Sequence, residues 1–193
     1  MVEVGGGGAS QPPPTFTTSP TSTDLPLAAR AAKRSYVRSM FTAIAPRYDL
    51  LNHLLSLNVD RSWRRAAVRR LAWERRPDGT YLDLCAGTLD LAATLARAHG
   101  FRGRVLGADF VIPMLARGKG KAPGVRAVGA DALALPFADA RFDGATVAFG
   151  VRNLADLDGG LREAHRVLRP GARFVVLEFT TPRFAPLRAL YLF

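Results

Sequence analysis

Four short stretches carry residue types that can do chemistry together. The first, Asp83-Leu84-Cys85-Ala86-Gly87-Thr88-Leu89-Asp90, ends an apolar run in a glycine turn. Gly87 lets backbone approach a ligand closely. The second is Gly107-Ala108-Asp109-Phe110, with Asp109 placed 22 positions after Gly87. An acid at that point, at the tip of a second strand, can accept hydrogen bonds from both hydroxyls of a ribose. The third, Gly129-Ala130-Asp131-Ala132, offers a carboxylate for an adenine amine and a backbone group for a ring nitrogen. The fourth is Phe149-Gly150-Val151-Arg152-Asn153, next to where a transferred group would sit. Taken singly, Asp83, Asp109 and Asp131 read as ordinary loop acids. Together, at successive strand ends, they read as one site.

The kind of ligand follows from what the turn lacks. A dinucleotide site uses the same ribose acid but needs G-x-G-x-x-G to seat a pyrophosphate. Here only Gly87 is present, and Leu89 and Ala92 take the later glycine positions. With no pyrophosphate cradle and no P-loop, a nucleoside without phosphates fits better, and S-adenosylmethionine is that ligand.

The elements that must position these residues alternate. Apolar runs predict strands at Tyr81–Cys85, Val105–Ala108, Val125–Val128, Asp143–Phe149 and Phe174–Phe179. Helices are expected over Asp90–Ala98, near Pro113, and from Leu157 to Leu168, the last ended by Pro170-Gly171. Gly159-Gly160 costs that helix roughly 2 kcal/mol relative to alanines and should loosen its start. Five strands separated by helices or long crossovers argue for a doubly wound, Rossmann-like α/β sheet.

Composition narrows the partners. The 193 residues include 27 Lys or Arg against 16 Asp or Glu, a net charge of +11. That balance points to nucleic acid, a membrane surface or an acidic substrate. No run of about 18 apolar residues is present to cross a membrane. Cys85 is alone, and His53, His99 and His165 lack metal-ligand spacing, so no metal site is expected. Residues 1–28 are rich in Gly, Pro, Ser and Thr and read as a disordered tail without the features of a secretory signal. Residues 29–76 read as a helical segment facing substrate and membrane, and residues 77–193 as the core. Seven arginines crowd between Arg61 and Arg76, around Trp63, Val68, Leu71 and Trp73. They read as a solvated face, as a face for anionic lipid headgroups, or as a nucleic-acid surface.

At this point the residues match a family. Phe41-Thr42-Ala43-Ile44-Ala45-Pro46-Arg47-Tyr48-Asp49-Leu50-Leu51-Asn52, then Leu55-Ser56 and Trp63-Arg64-Arg65, resemble the N-terminal signature of the ubiquinone/menaquinone biosynthesis C-methyltransferases. Leu133-Ala134-Leu135-Pro136-Phe137, Phe142-Asp143 and Phe149-Gly150-Val151-Arg152-Asn153-Leu154 resemble the family's central block. Arg166-Val167-Leu168-Arg169-Pro170-Gly171 and Leu177-Glu178-Phe179 complete it. The resemblance implies a class I methyltransferase that moves a methyl from S-adenosylmethionine to a ring carbon of a polyprenylated quinone precursor. It implies cofactor contacts at Thr88, Asp109, Asp131 and Ala132, beside Asp83 and Gly87. Ala148 stands where the family often has a small hydroxyl residue. It implies catalytic roles for Arg152 and Asn153 at the phenol, and a substrate pocket shaped by Tyr48, Asn52 and Trp63. Leu89 replaces a usual glycine and is expected to crowd the methionine tail. Asn58 and Asp60 stand where Gly and His are common.

Such sheets carry seven strands, and no sixth or seventh is legible before Phe193. A core cut short after strand five, with reduced or no activity and an uncovered apolar edge, is therefore expected. The expected partners are the quinone precursor and an anionic membrane surface, at the inner face of a membrane in the cytoplasm. A homo-oligomer or a biosynthetic complex stays open. Nucleic acid is disfavoured because the block after strand four is not the Asn/Asp-Pro-Pro-aromatic grip of base N-methylation. A degenerate cofactor-binding module without turnover remains the other reading.

Overall fold

The computed structural model describes residues 26–49, 56 and 58–179. The expected tail over 1–25, Asn52, and the segment from 180 onward lie outside these. Helix α1 spans Leu27–Ile44, so it begins two residues before the boundary read from composition. Pro46 ends it in a 3₁₀ turn, Ala45–Arg47. Helix α2, Val59–Leu71, follows. The core then runs β1 (Thr80–Leu84), α3 (Asp90–Ala96), β2 (Arg104–Asp109), α4 (Ile112–Gly118), β3 (Val125–Gly129), β4 (Phe142–Ala148), α5 (Leu157–Val167) and β5 (Leu168–Leu177).

All four strand pairings are parallel, and the order is β3-β2-β1-β4-β5. The chain therefore winds outward from β1 in both directions. That leaves a crevice at the carboxyl ends of β1 and β4, where such sheets bind ligands. Alternation along β1 explains why both faces must be covered. Tyr81 packs with Ala67, Val68 and Leu71 of α2 and Leu95 of α3. Leu82 and Leu84 pack on the other face with Ala145, Val147, Ala164 and Val167. A strand apolar on both faces needs helices on both sides, which is the parallel α/β solution.

Two local expectations are corrected. The last helix does not extend to Pro170-Gly171. The chain leaves α5 at Val167 and enters β5 directly at Leu168. Phe142 lies opposite Leu168, but Gly144 lies opposite Arg173, so Pro170 and Gly171 fall in an irregular stretch of the outer strand. A missing proline N–H costs no ladder bond there. The start of α5 is also firm, because the Asp156 side chain accepts the Gly159 N–H at 2.9 Å and caps it. A Cβ at Gly160 would lie 2.7 Å from Leu154 Cδ1, so the end of that leucine would have to shift. Among the described residues β5 is an edge of the sheet, and Val176 on it is 46% exposed.

Candidate active site

The turns after β1 and β4 are built from strained backbone. Cys85 and Leu89 after β1 and Phe149 after β4 take left-handed conformations, with φ of +53°, +64° and +59°. Non-glycine residues held this way cost about 1–3 kcal/mol each and cluster at functional sites. Leu89 does not crowd the cavity, contrary to expectation. It is 1% exposed and turns inward over Gly107, whose missing side chain leaves it room.

The acids are held by this backbone. Asp109 Oδ2 accepts the Gly87 N–H at 2.9 Å, and Oδ1 accepts the Val111 N–H at 2.8 Å. Burial pushes its pKa up, and the backbone hydrogen bonds oppose that shift. Asp131 Oδ1 accepts the Leu133 N–H at 3.0 Å, and its other oxygen pairs with Arg34 of α1. Asp83 is fully buried. It accepts the Ala92 N–H at 3.0 Å and the Thr146 hydroxyl at 3.0 Å. Burial raises its pKa to about 7.

Above these groups lie two cavities that share Tyr48, Cys85, Gly87, Ala148 and Phe149 as walls. The larger is lined by Asp109, Asp131, Ala132, Met114 and Asn153. The smaller is lined by Asp83, Thr88, Asp90 and Arg64. Thr88 donates its hydroxyl to Asp49 at 2.5 Å. Burial also pushes the Cys85 thiol pKa up, which keeps it a neutral wall residue.

Helix α1 covers the larger cavity. Arg30 pairs with Asp156 at 2.8 Å, and Lys33 donates to the Leu154 carbonyl at 2.6 Å. Val37 and Phe41 line the cavity from above. Sequence reasoning missed this cover, because Arg34 and Asp131 are joined only by the tertiary fold.

The residues expected on the substrate side gather differently. Phe149 and Phe179 stack with centroids 4.7 Å apart, and Trp63 stands edge-on to both, at 6.3 and 5.6 Å. Arg152 pairs with Glu178 at 3.2 Å and lies over the Phe179 ring. Its side chain is 53% exposed and lines neither cavity. Asn153 lines the larger cavity and donates to the Phe149 carbonyl at 3.3 Å. The pairing of Arg152 with Glu178 was not foreseen, although Glu178 stands inside the Leu177-Glu178-Phe179 motif.

A parallel sheet wound outward from β1, with its crevice at the carboxyl ends of β1 and β4, is the fold of the class I S-adenosylmethionine-dependent methyltransferases. The residues fit that cofactor: two joined compartments suit an adenosine with a slender charged extension, and Asp109 retains accepting capacity beyond its two amide contacts. Solved structures agree on the fold. A putative S-adenosyl-L-methionine-dependent methyltransferase from Methanococcus maripaludis superposes with TM-score 0.61 at 18% identity, over 77% of this chain and 68% of that one.

The particular family is given by sequence. The model of the ubiE/COQ5 methyltransferase family matches residues 29–193. A ubiquinone/menaquinone biosynthesis C-methyltransferase from Geotalea daltonii is 43% identical over 167 residues, covering 83% of this chain and 70% of that protein. A demethylmenaquinone methyltransferase from Thermus thermophilus is 57% identical over 148 residues, covering 74% of this chain and 66% of that protein. The chain thus belongs to the ubiE/COQ5 methyltransferase family and spans about two thirds of the length of such relatives.

Proposed function

We propose that the chain methylates a ring carbon of a polyprenylated quinone precursor, a demethylmenaquinol or a polyprenyl benzoquinol, using S-adenosylmethionine. The observation that carries this reading is the crevice itself. Acids suited to adenosine line the larger cavity, and Asn153, from the turn at the end of β4, lines it from the other side, with Arg152 next in the same turn but outside both cavities.

When bound, the cofactor supplies an electrophilic methyl. The protein's task is to make a ring carbon nucleophilic and to hold it in line. A phenol has a pKa near ~10, and its ortho carbon is a poor nucleophile until the proton leaves. Arg152 stays protonated, so it does not take that proton. Its guanidinium, steadied by Glu178 and the Phe179 ring, lowers the cost of the phenolate while the proton passes to water. Asn153 orients the hydroxyl from the cavity wall. Trp63, Phe149 and Phe179 offer flat apolar faces to the ring, and Tyr48 closes the cavity from the N-terminal side. Holding the reacting atoms at near-attack distance contributes several kcal/mol more, about 7 or above in favourable cases.

The working surface in this reading is an anionic membrane. Arg61, Arg65 and Arg69 lie four apart on one side of α2, are exposed, and line an open groove with Arg97. Like charges at this spacing cost a helix a few tenths of a kcal/mol (about 0.2–0.5) per pair. An anionic surface repays that with ~1 kcal/mol per basic residue. No helix among the described residues is long and apolar enough to cross a membrane. The test is methyl transfer to demethylmenaquinol and to a polyprenyl benzoquinol, presented in anionic or neutral vesicles. Methylated product, formed faster on anionic vesicles, is expected. Cofactor binding with no transfer to either quinol would instead support the module without turnover.

A further inference from the structure

Arg152 and Asn153 stand on a single 3₁₀ turn, Val151–Asn153. A turn this short fixes several dihedrals for few hydrogen bonds, so its geometry depends on what surrounds it. It closes with the Asn153 N–H on the Gly150 carbonyl at 3.0 Å and the Leu154 N–H on the Val151 carbonyl at 3.2 Å. The carbonyls of Arg152 and Leu154 are met from a different element. Lys33 of α1 places its ammonium 3.3 Å from the first and 2.6 Å from the second. The lysine is half-buried and comes from 119 and 121 positions earlier in the chain.

Asn153 lies between the two carbonyls that Lys33 holds. Its side chain lines the larger cavity and donates to the Phe149 carbonyl at 3.3 Å. The turn is therefore tied inward through Asn153 and outward through Lys33. An ammonium is a compact charge with three N–H donors, so one group can bridge two carbonyls. Such charge-assisted bonds are stronger than neutral ones. Carbonyl oxygens at the exit of a helical turn also carry partial negative charge. That charge opposes a phenolate forming beside the turn, and the ammonium offsets it. The neighbouring contacts of α1 fall elsewhere: Arg30 on Asp156, and Arg34 on Asp131 across the cavity.

We infer that Lys33 is a positioning residue for methyl transfer. It lines neither cavity and acts through the turn it bridges. By holding the backbone on both sides of Asn153, it fixes the base from which the Asn153 amide and the Arg152 guanidinium project. Docking of α1 over the larger cavity and setting of the reacting turn then become one event, because the same helix makes both contacts. This rests on the proposed roles of Arg152 and Asn153.

The test uses the full chain and two readouts, one of them independent of turnover. Lys33→Met keeps an aliphatic stem of similar length and removes the donor. Without any ligand, it should speed amide hydrogen exchange over residues 149–156 by roughly tenfold and leave residues 85–90 within about twofold. With demethylmenaquinol it should lower kcat by roughly tenfold, with KM and the affinity for S-adenosylhomocysteine each within about threefold. Lys33→Arg, still cationic and able to donate to both carbonyls, should recover most of both losses. Arg38→Ala is the control for docking of α1, since its guanidinium lies over the Phe110 ring, away from the turn. It should stay within about twofold of the unaltered protein in exchange over 149–156 and in kcat. Unaltered exchange over 149–156 in Lys33→Met would overturn the assignment. So would faster exchange with an unchanged kcat, no recovery in Lys33→Arg, or equal losses in Arg38→Ala. If the unaltered protein methylates no quinol, the proposed function fails instead, and exchange alone decides whether Lys33 sets the turn.

Discussion

The two rims of the crevice are held by different means. On the β1–β3 side, Asp83, Asp109 and Asp131 each accept a backbone N–H, Asp83 from helix α3 and the other two from the residue two positions on. Main-chain geometry aims them, and neighbouring side chains can vary without moving them. Leu89 in a glycine position and Ala148 in a hydroxyl position are such variations. On the β4–β5 side, Arg152 is held by a carboxylate and a ring, both near the end of the described chain. The first rim is a property of the sheet; the second is a property of a few side chains. Cofactor affinity should therefore follow the first rim and turnover the second.

The largest expected effect tests that separation directly. Arg152→Ala should lower turnover by about a hundredfold or more, the scale of losing an oxyanion donor, and leave cofactor affinity within about threefold. Steady-state kinetics and calorimetry on the same preparation decide it. Equal losses in both quantities would mean that the rims are not separate and that Arg152 supports the fold of the crevice.

On the opposite rim, Asp109→Ala should weaken cofactor binding by roughly tenfold to a hundredfold, because it removes charge-assisted acceptors of ribose hydroxyls. An unchanged dissociation constant would remove Asp109 from the site. The Gly87 and Val111 amides also lose their acceptor, so a thermal melt must accompany the titration. A large drop in melting temperature with unaltered affinity would recast Asp109 as a brace for the turn.

The contrast between rims also explains what could be read from the sequence. The strands were legible because parallel strands buried on both faces are continuous apolar runs, and the acids because they sit inside or within three residues after such runs. Arg64 was read as one more surface arginine, since spacing alone does not show that one member of a basic series turns inward to Asp60 and Asp90. The tie from Lys121 to Asp49 spans 72 positions and has no local signature. The cover of α1 over the larger cavity was hidden for the same reason. Pro170-Gly171 misled because it is ordinary helix-ending chemistry, and only the pairing of β5 with β4 makes it a strand irregularity.

Asp83 gives a pH-dependent test of the backbone-held rim. Burial lifts its pKa to about 7 from the ordinary carboxylate range near 4, against the pull of Thr146, Ala92 and Arg64. The folded state therefore holds a proton that the unfolded chain has released between about pH 4 and 7. The stability from this group is complete below about pH 4 and is lost as pH rises through 7. Melting temperature should fall from pH 5 to 8 for this reason. Asp83→Asn should flatten that slope, since an amide can still accept the Ala92 N–H and meet the Thr146 hydroxyl. A slope of the same steepness in the variant would mean that Asp83 is already ionised in the folded protein and that its carboxylate is better solvated than its burial indicates.

The smallest effect concerns the contact that reaches from α1 onto the cofactor rim. Arg34 pairs with the Asp131 oxygen not held by Leu133, and the arginine side chain is 52% exposed. An exposed pair of this kind contributes at most about 1 kcal/mol to stability, so Arg34→Ala should melt close to the unaltered protein. Its effect on binding has the opposite sign to that of Asp109→Ala. Freeing Asp131 returns an acceptor to the adenine amine and removes a cation from beside a cationic cofactor, so affinity should rise by roughly twofold to threefold. Salt separates this from a packing effect. Toward 1 M, where screening acts over about 3 Å, the pair weakens in the unaltered protein and the difference between the two should shrink. A variant that binds more weakly at every salt concentration would show that α1 supports the adenine end instead of competing for it.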